Sequence, residues 1–236
     1  MTTAITKRLL NSTLLVSSMT MLSRLMGFAR DIVIAIYFGA AAGADAFFIA
    51  FKIPNLMRRL FAEGAFSQAF VPILAEQQQQ VSHPQVKRLV ANIAGSLAGI
   101  LAIITLLALL CAPLLVMLFA PGFDPGSERY QLATDMLRLT FPYLMLISLT
   151  AMAAAVLNTY GRFAVPAFTP VLLNVSLIAC AIYLAPQLQH PIEALAWGVL
   201  LAGMVQLGFL LPFLQRIDLL PWPRFALCDP MVKRLC

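Results

Sequence analysis

Charge is scarce in this sequence. Only 11% of its 236 residues are Asp, Glu, Lys or Arg, whereas 61% are hydrophobic and the mean hydropathy is +0.88. Soluble domains carry about 25% charged residues, so no soluble core suits this composition and the bilayer is the solvent to reason with. Histidine and cysteine are scarcer still, with two and four residues. His83 and His190 each stand alone beside a proline, Cys111 and Cys180 lie in apolar stretches, and Cys228 and Cys236 sit in the tail without a C-x-x-C pair. That spacing excludes a zinc site and a Cys/His nucleophile, so no metal and no catalytic residue is expected. The 12 Gly and 15 Pro follow no period, which removes collagen-like repeats. The net charge of +6 would suit nucleic acid only if it were clustered on an exposed face. Here the basic residues punctuate hydrophobic runs, and no nucleic-acid partner is expected.

What the sequence has in abundance is apolar length. A helix needs about 20 apolar residues to cross the hydrocarbon core. Four charge-free stretches, 89–123, 139–161, 163–192 and 194–215, provide it. The first should end near Phe119, before the turn-rich Pro121-Gly122-Phe123-Asp124-Pro125-Gly126, with a kink at Pro113, and the last near Pro212. Basic residues orient them. Lys87, Arg88, Arg162, Arg216, Arg224, Lys233 and Arg234 fall in one set of connections, whereas the connections at 120–130 and 185–193 hold only Arg129. By the positive-inside rule the first set is cytoplasmic, and Lys7 and Arg8 place the N-terminus there as well. The region 9–76 must then leave and return, reversing at Gly39-Ala40-Ala41-Ala42-Gly43. Arg24 interrupts the first apolar run, which argues against a cleaved signal peptide. The expectation is an all-α polytopic membrane protein. Six transmembrane helices, at about 9–38, 45–76, 89–119, 132–158, 166–185 and 194–214, form a unit over 1–215. Residues 216–236 are a cytoplasmic tail or the start of a linker.

The first two spans carry eight ionisable residues: Arg24, Arg30, Asp31, Asp45, Lys52, Arg58, Arg59 and Glu63. Facing lipid at mid-membrane, these would cost on the order of 20 kcal/mol together, more than a domain's usual stability. They must face protein or water. On one continuous helix Asp45, Lys52, Arg59 and Glu63 fall within about 40° of one another, a narrow stripe that a kink at Pro54 would make approximate. Arg24 and Asp31 share a face of the first helix, Arg30 points about 120° away, and Gly27 allows a bend between them. One reading is a set of helix-fastening ion pairs such as Arg59 with Glu63. Against it, five basic residues meet three acids, and the surplus asks for an anion. Arginine suits phosphate, because its guanidinium is a planar fork that stays charged when buried.

The same residues carry a resemblance. The run 18–31, SMTMLSRLMGFARD, together with Asp45-Ala46-Phe47-Phe48 and 54–66, PNLMRRLFAEGAF, resembles the signature of the MurJ (MviN) family, bacterial flippases for the peptidoglycan precursor lipid II. Phe70-Val71-Pro72, Ala120-Pro121-Gly122-Phe123, Phe141-Pro142-Tyr143 and Leu157-Asn158-Thr159 extend it. The resemblance implies one lobe of a MOP/MATE-like transporter fold, in which two helical lobes rock about a cationic cavity near the bilayer midplane. By that resemblance Arg24, Arg30 and Arg58 line the cavity and bind pyrophosphate, Asp45 is the functional or coupling acid, and Asp31, Lys52, Arg59 and Glu63 are further cavity charges. It implies a transporter rather than an enzyme, in the bacterial inner membrane and with both termini cytoplasmic. No cofactor is implied; the energy source is left as membrane potential or a monovalent ion. The partners implied are lipid II or a related polyprenyl-pyrophosphate precursor, membrane lipids, and a second-lobe polypeptide or a second copy. Since the family carries a second lobe, the chain is expected to be an N-terminal lobe, with an inactive truncated remnant or interaction scaffold as the alternative. A cation-coupled drug exporter of the same superfamily would favour acids over this basic surplus. A membrane lipid phosphotransferase would want clustered His or paired Asp, which the sequence lacks.

Overall fold

The computed structural model describes residues 2–39, 42–59 and 66–220, with side chains from residue 14 onward except at 42 and 66–69. The chain is all-helical over those residues: α1 (Thr2–Phe38), α2 (Ala42–Arg58), α3 (Phe66–Gln80), α4 (His83–Leu110), α5 (Ala112–Phe119), α6 (Glu128–Thr140), α7 (Tyr143–Thr159), α8 (Ala164–Ala179) and α9 (Glu193–Arg216). Four segments among them are long and apolar enough to cross a membrane: His83–Leu110, Glu128–Thr159, Ala164–Gln187 and Glu193–Arg216. The second joins α6 and α7 across Phe141 and Pro142. The third continues α8 through a π-helical turn, Cys180–Leu184, and a short 3₁₀ turn, Ala185–Gln187.

Prolines explain where two of the single helices expected from apolar length divide. Pro113 and Pro142 lack the N–H that would continue the ladder, and the expected helices 89–119 and 132–158 appear as α4 with α5 and as α6 with α7. The expected second helix, 45–76, appears as α2 and α3, with 60–65 outside the described residues. Pro212, by contrast, does not end the last helix, which runs on to Arg216, and α1 stays helical through Gly27. At two of the prolines inside helices a nearby hydroxyl takes over the carbonyl they free. Pro54 cannot donate to Ala50, and the Thr140 hydroxyl of α6 donates to the Ala50 oxygen at 3.0 Å. Pro170 frees the Pro166 oxygen, to which the Thr169 hydroxyl donates at 2.8 Å. Such repair is what lets helices bend in an apolar solvent without leaving carbonyls unpaired.

α9 forms the spine, packed on α8, α7 and α6. Small residues let its neighbours come close: a Cβ on Gly203 would stand 2.9 Å from the Tyr143 ring and 3.0 Å from Leu146, and one on Gly198 would stand 3.1 Å from Leu177. Close backbone approach through small residues is the usual way membrane helices gain van der Waals contact. Among the described residues the core has two clusters. One gathers Phe47, Met136, Leu144 and Leu195; the other gathers Phe70, Val90, Val156 and Leu210.

The two ends of the helical bundle differ in charge. At one end the starts of α4 and the ends of α7 and α9 meet: the Lys87 ammonium donates to Asp218 at 2.6 Å, and the His83 ring lies edge-on to Tyr160 at 6.5 Å. This end carries Lys87, Arg88, Arg162 and Arg216 with Glu76 and Asp218. Lys87 beside Asp218 holds its carboxyl below the usual carboxylate range. Asp218 adopts φ 55° in the turn that closes α9, where Leu219 N donates back to the Leu214 oxygen at 3.0 Å. Gly161 fills the matching left-handed position after α7, so the ion pair to Lys87 holds Asp218 where glycine is the common choice. At the other end Tyr37, Phe38, Glu128, Leu132, His190 and Ile192 line a shared cavity of about 300 Å³. There Arg129 is accompanied by Asp124, Glu128 and Glu193.

Candidate functional site

α1 rests on α8 and its π-helical continuation, whereas α2 packs on α6 and α7. The two helices that carry the ionisable residues are therefore supported separately, and a cleft of about 320 Å³ opens between them. Its apolar wall is aromatic: Phe47, Phe48 and Phe51 line it, with the Phe47 and Phe51 rings stacked at 5.8 Å. Its polar part is Arg30 and Asp31. The Arg30 Nε and Nη2 donate to Asp31 Oδ1 at 2.9 and 2.7 Å, and Nη1 donates to Asn174 Oδ1 of α8 at 3.1 Å. A guanidinium has five N–H donors, so these bonds leave it partly unspent. The Arg30 side chain is 28% exposed and Asp31 64% exposed.

The other residues singled out by sequence are distributed as follows. Arg58, the last residue of α2, is half-buried, and its Nε donates to Asn55 Oδ1 at 3.1 Å. Arg24, Asp45, Lys52 and Arg59 are exposed and form no ion pair among the described residues. Glu63 lies outside the described residues, and with it the Arg59–Glu63 pair. The structure thus joins Arg30 to Asp31, although a helical wheel sets them apart, because the long guanidinium folds across to its neighbour. Sequence reasoning passed over Asn174 and Asn55. The signal for Asn174 was present: it is the one asparagine of the charge-free run 163–192, and an amide in such a run is costly unless bonded. No group of three or more His, Cys, Asp or Glu suited to a metal ion occurs among the described residues.

Helices of membrane-crossing length, a cleft that holds the Arg30–Asp31 pair and opposite charge balance at the two ends define an all-helical membrane protein. Comparison with known proteins makes this specific. A family model described as "Lipid II flippase MurJ" matches residues 34–236, and the chain belongs to that family. It is 45% identical over 238 residues to "Probable lipid II flippase MurJ" of Vibrio cholerae, covering 98% of this chain and 45% of the relative. It is 47% identical over 231 residues to "Lipid II flippase MurJ" of Burkholderia cenocepacia, covering 96% and 45%. The fold is similar to a solved structure, "Lipid II flippase MurJ, inward closed conformation", with a TM-score of 0.72 and 26% identity over 94% of this chain and 46% of that one. The chain spans just under half the length of these relatives.

Proposed function

We propose that this chain is the N-terminal lobe of a flippase that moves lipid II across the bacterial inner membrane by alternating access. The observation that carries the reading is the Arg30 guanidinium in a cleft walled by phenylalanines, on a helix that also exposes Arg24. Such a cleft pairs a charged fork for pyrophosphate with apolar surface for an isoprenoid. Arg24, Arg30 and Arg58 take the pyrophosphate, Asp45 is the coupling acid, and Asp31, Lys52, Arg59 and Glu63 set the charge balance of the cavity. Coupling draws on membrane potential or a monovalent ion. α1, and α2 with α3, add two crossings to the four long apolar segments, giving a six-helix lobe of the MATE-like kind. A second lobe, or a second copy, faces α1 and α2, because exposed arginines in lipid are costly and rocking needs two bodies. Binding of lipid II and of phosphatidylglycerol to the purified chain, compared by native mass spectrometry, tests this reading. Lipid II should bind at lower concentration; equal affinity would reduce the cleft to a general anionic-lipid surface.

Orientation follows from the charge difference between the ends: the end with Lys87, Arg88, Arg162 and Arg216 faces the cytoplasm. In a background without other cysteines, Gln189→Cys should react with an impermeant thiol reagent added to intact spheroplasts, and Gln79→Cys should react only after lysis. The reverse pattern would invert the lobe.

A further inference from the structure

Asn174 touches both the charged group of the cleft and the backbone that carries it. Its side chain is buried, 5% exposed, on α8. Oδ1 accepts from Arg30 Nη1 at 3.1 Å, while Nδ2 donates to the Ser23 carbonyl oxygen of α1 at 3.2 Å. Ser23 and Arg30 lie two turns apart on α1, with Gly27 between them directly beneath the amide: a Cβ there would stand in ordinary contact, 3.8 Å from the Asn174 nitrogen. One amide therefore spans two turns of α1 and uses both of its polar atoms. Asp31 holds the guanidinium through Nε and Nη2, and Asn174 holds Nη1 from the other side. Three of five N–H donors are then fixed and two remain for an anion.

We propose that Asn174 is the positioning residue of Arg30: a buried amide that ties the guanidinium to the α1 backbone and keeps its remaining donors aimed for the pyrophosphate of the lipid substrate. The inference rests on the reading of Arg30 as a pyrophosphate ligand. A neutral amide at this place does what a second carboxylate could not, because it orients the guanidinium through one bond and is itself anchored through the other without cancelling more of the arginine's charge. A fork held in place also loses less side-chain freedom when the anion arrives. The bond to Ser23 makes the orientation depend on the local geometry of α1, so any bending of α1 near Gly27 would release or re-aim the arginine.

The test is lipid II binding by native mass spectrometry to the native chain and to Asn174→Ala, Asn174→Asp, Arg30→Ala and the Arg30→Ala/Asn174→Ala pair, with thermal midpoints measured in parallel. Asn174→Ala should weaken binding about tenfold and should add nothing once Arg30 is alanine. Asn174→Asp, which has nearly the same shape, should bind more weakly than Asn174→Ala, because a second carboxylate beside Arg30 competes with the substrate anion. A merely structural amide would lower the thermal midpoint and weaken binding to the same extent whether or not Arg30 is present, since aspartate and alanine both lose the bond to the Ser23 oxygen. Unchanged affinity in Asn174→Ala, or equal weakening by Asn174→Ala with and without Arg30, would overturn the proposal. Unchanged binding in Arg30→Ala would overturn the pyrophosphate reading, and this inference with it; weakening in Arg30→Ala alone would sink only the role of Asn174.

Discussion

Alanine at Arg24, Arg30 or Arg58 is expected to weaken lipid II binding by about 10- to 100-fold at each position. A hydrogen bond to a charged group contributes about 1.5–3 kcal/mol, and in the proposed role each arginine gives the pyrophosphate at least one such bond, which truncation removes. The three positions should nevertheless differ in their response to lysine. Lysine keeps the charge but loses the fork. At Arg30 it would also give up the geometry that engages Asp31 through two nitrogens and Asn174 through the third, so Arg30→Lys should approach the alanine value. At Arg24, which is exposed and without an ion pair among the described residues, lysine should recover most of the affinity. Arg58 is anchored through Nε to Asn55, and its lysine variant should fall between. Equilibrium binding of purified variants measures all six. Native affinity in the three alanine variants would leave these side chains as helix fasteners only.

Gly203→Leu should be among the most damaging packing changes at the described glycines. A Cβ at this position already falls 2.9 Å from the Tyr143 ring and 3.0 Å from Leu146, both on α7 and with Tyr143 only 2% exposed. Overpacking a well-filled interior costs about 1–3 kcal/mol, and an isobutyl group exceeds what a shift of the Tyr143 ring could admit. α9 would have to separate from α7, opening the contact on which both core clusters depend. Gly208→Leu is the control, since nothing lies within 4 Å of a Cβ there. Thermal unfolding in detergent should show a large drop in midpoint for Gly203→Leu and little change for Gly208→Leu.

Much of the architecture was legible because the bilayer simplifies the physics. A charge-free run of sufficient length must be helical, and the basic residues cluster between such runs; the long helices His83–Leu110 and Glu193–Arg216 follow from nothing more. Division of those runs was harder to read. Pro142 separates α6 from α7, whereas Pro54, Pro170 and Pro212 sit inside helices. The difference lies partly in partners distant in sequence: Thr140 reaches the Ala50 oxygen across ninety positions. The charged residues were found by sequence because ionisable groups are conspicuous in an apolar chain. Their pairing was not, since an angular projection treats side chains as spokes and ignores the reach of a guanidinium to its own neighbour. Asn174 was passed over because its role exists only once α8 lies against α1.

The most direct test of the central claim, that this lobe recognises lipid II through its pyrophosphate, is a competition between two lipids with the same isoprenoid chain. Lipid II bound to the purified chain is challenged with undecaprenyl pyrophosphate or with undecaprenol, and the remaining complex is read by native mass spectrometry. The arginine-bearing cleft predicts displacement by the pyrophosphate lipid, little or none by the alcohol, and loss of that difference in the Arg30→Ala variant. Equal displacement by both lipids would mean that the apolar surface alone binds the substrate, and would contradict the account.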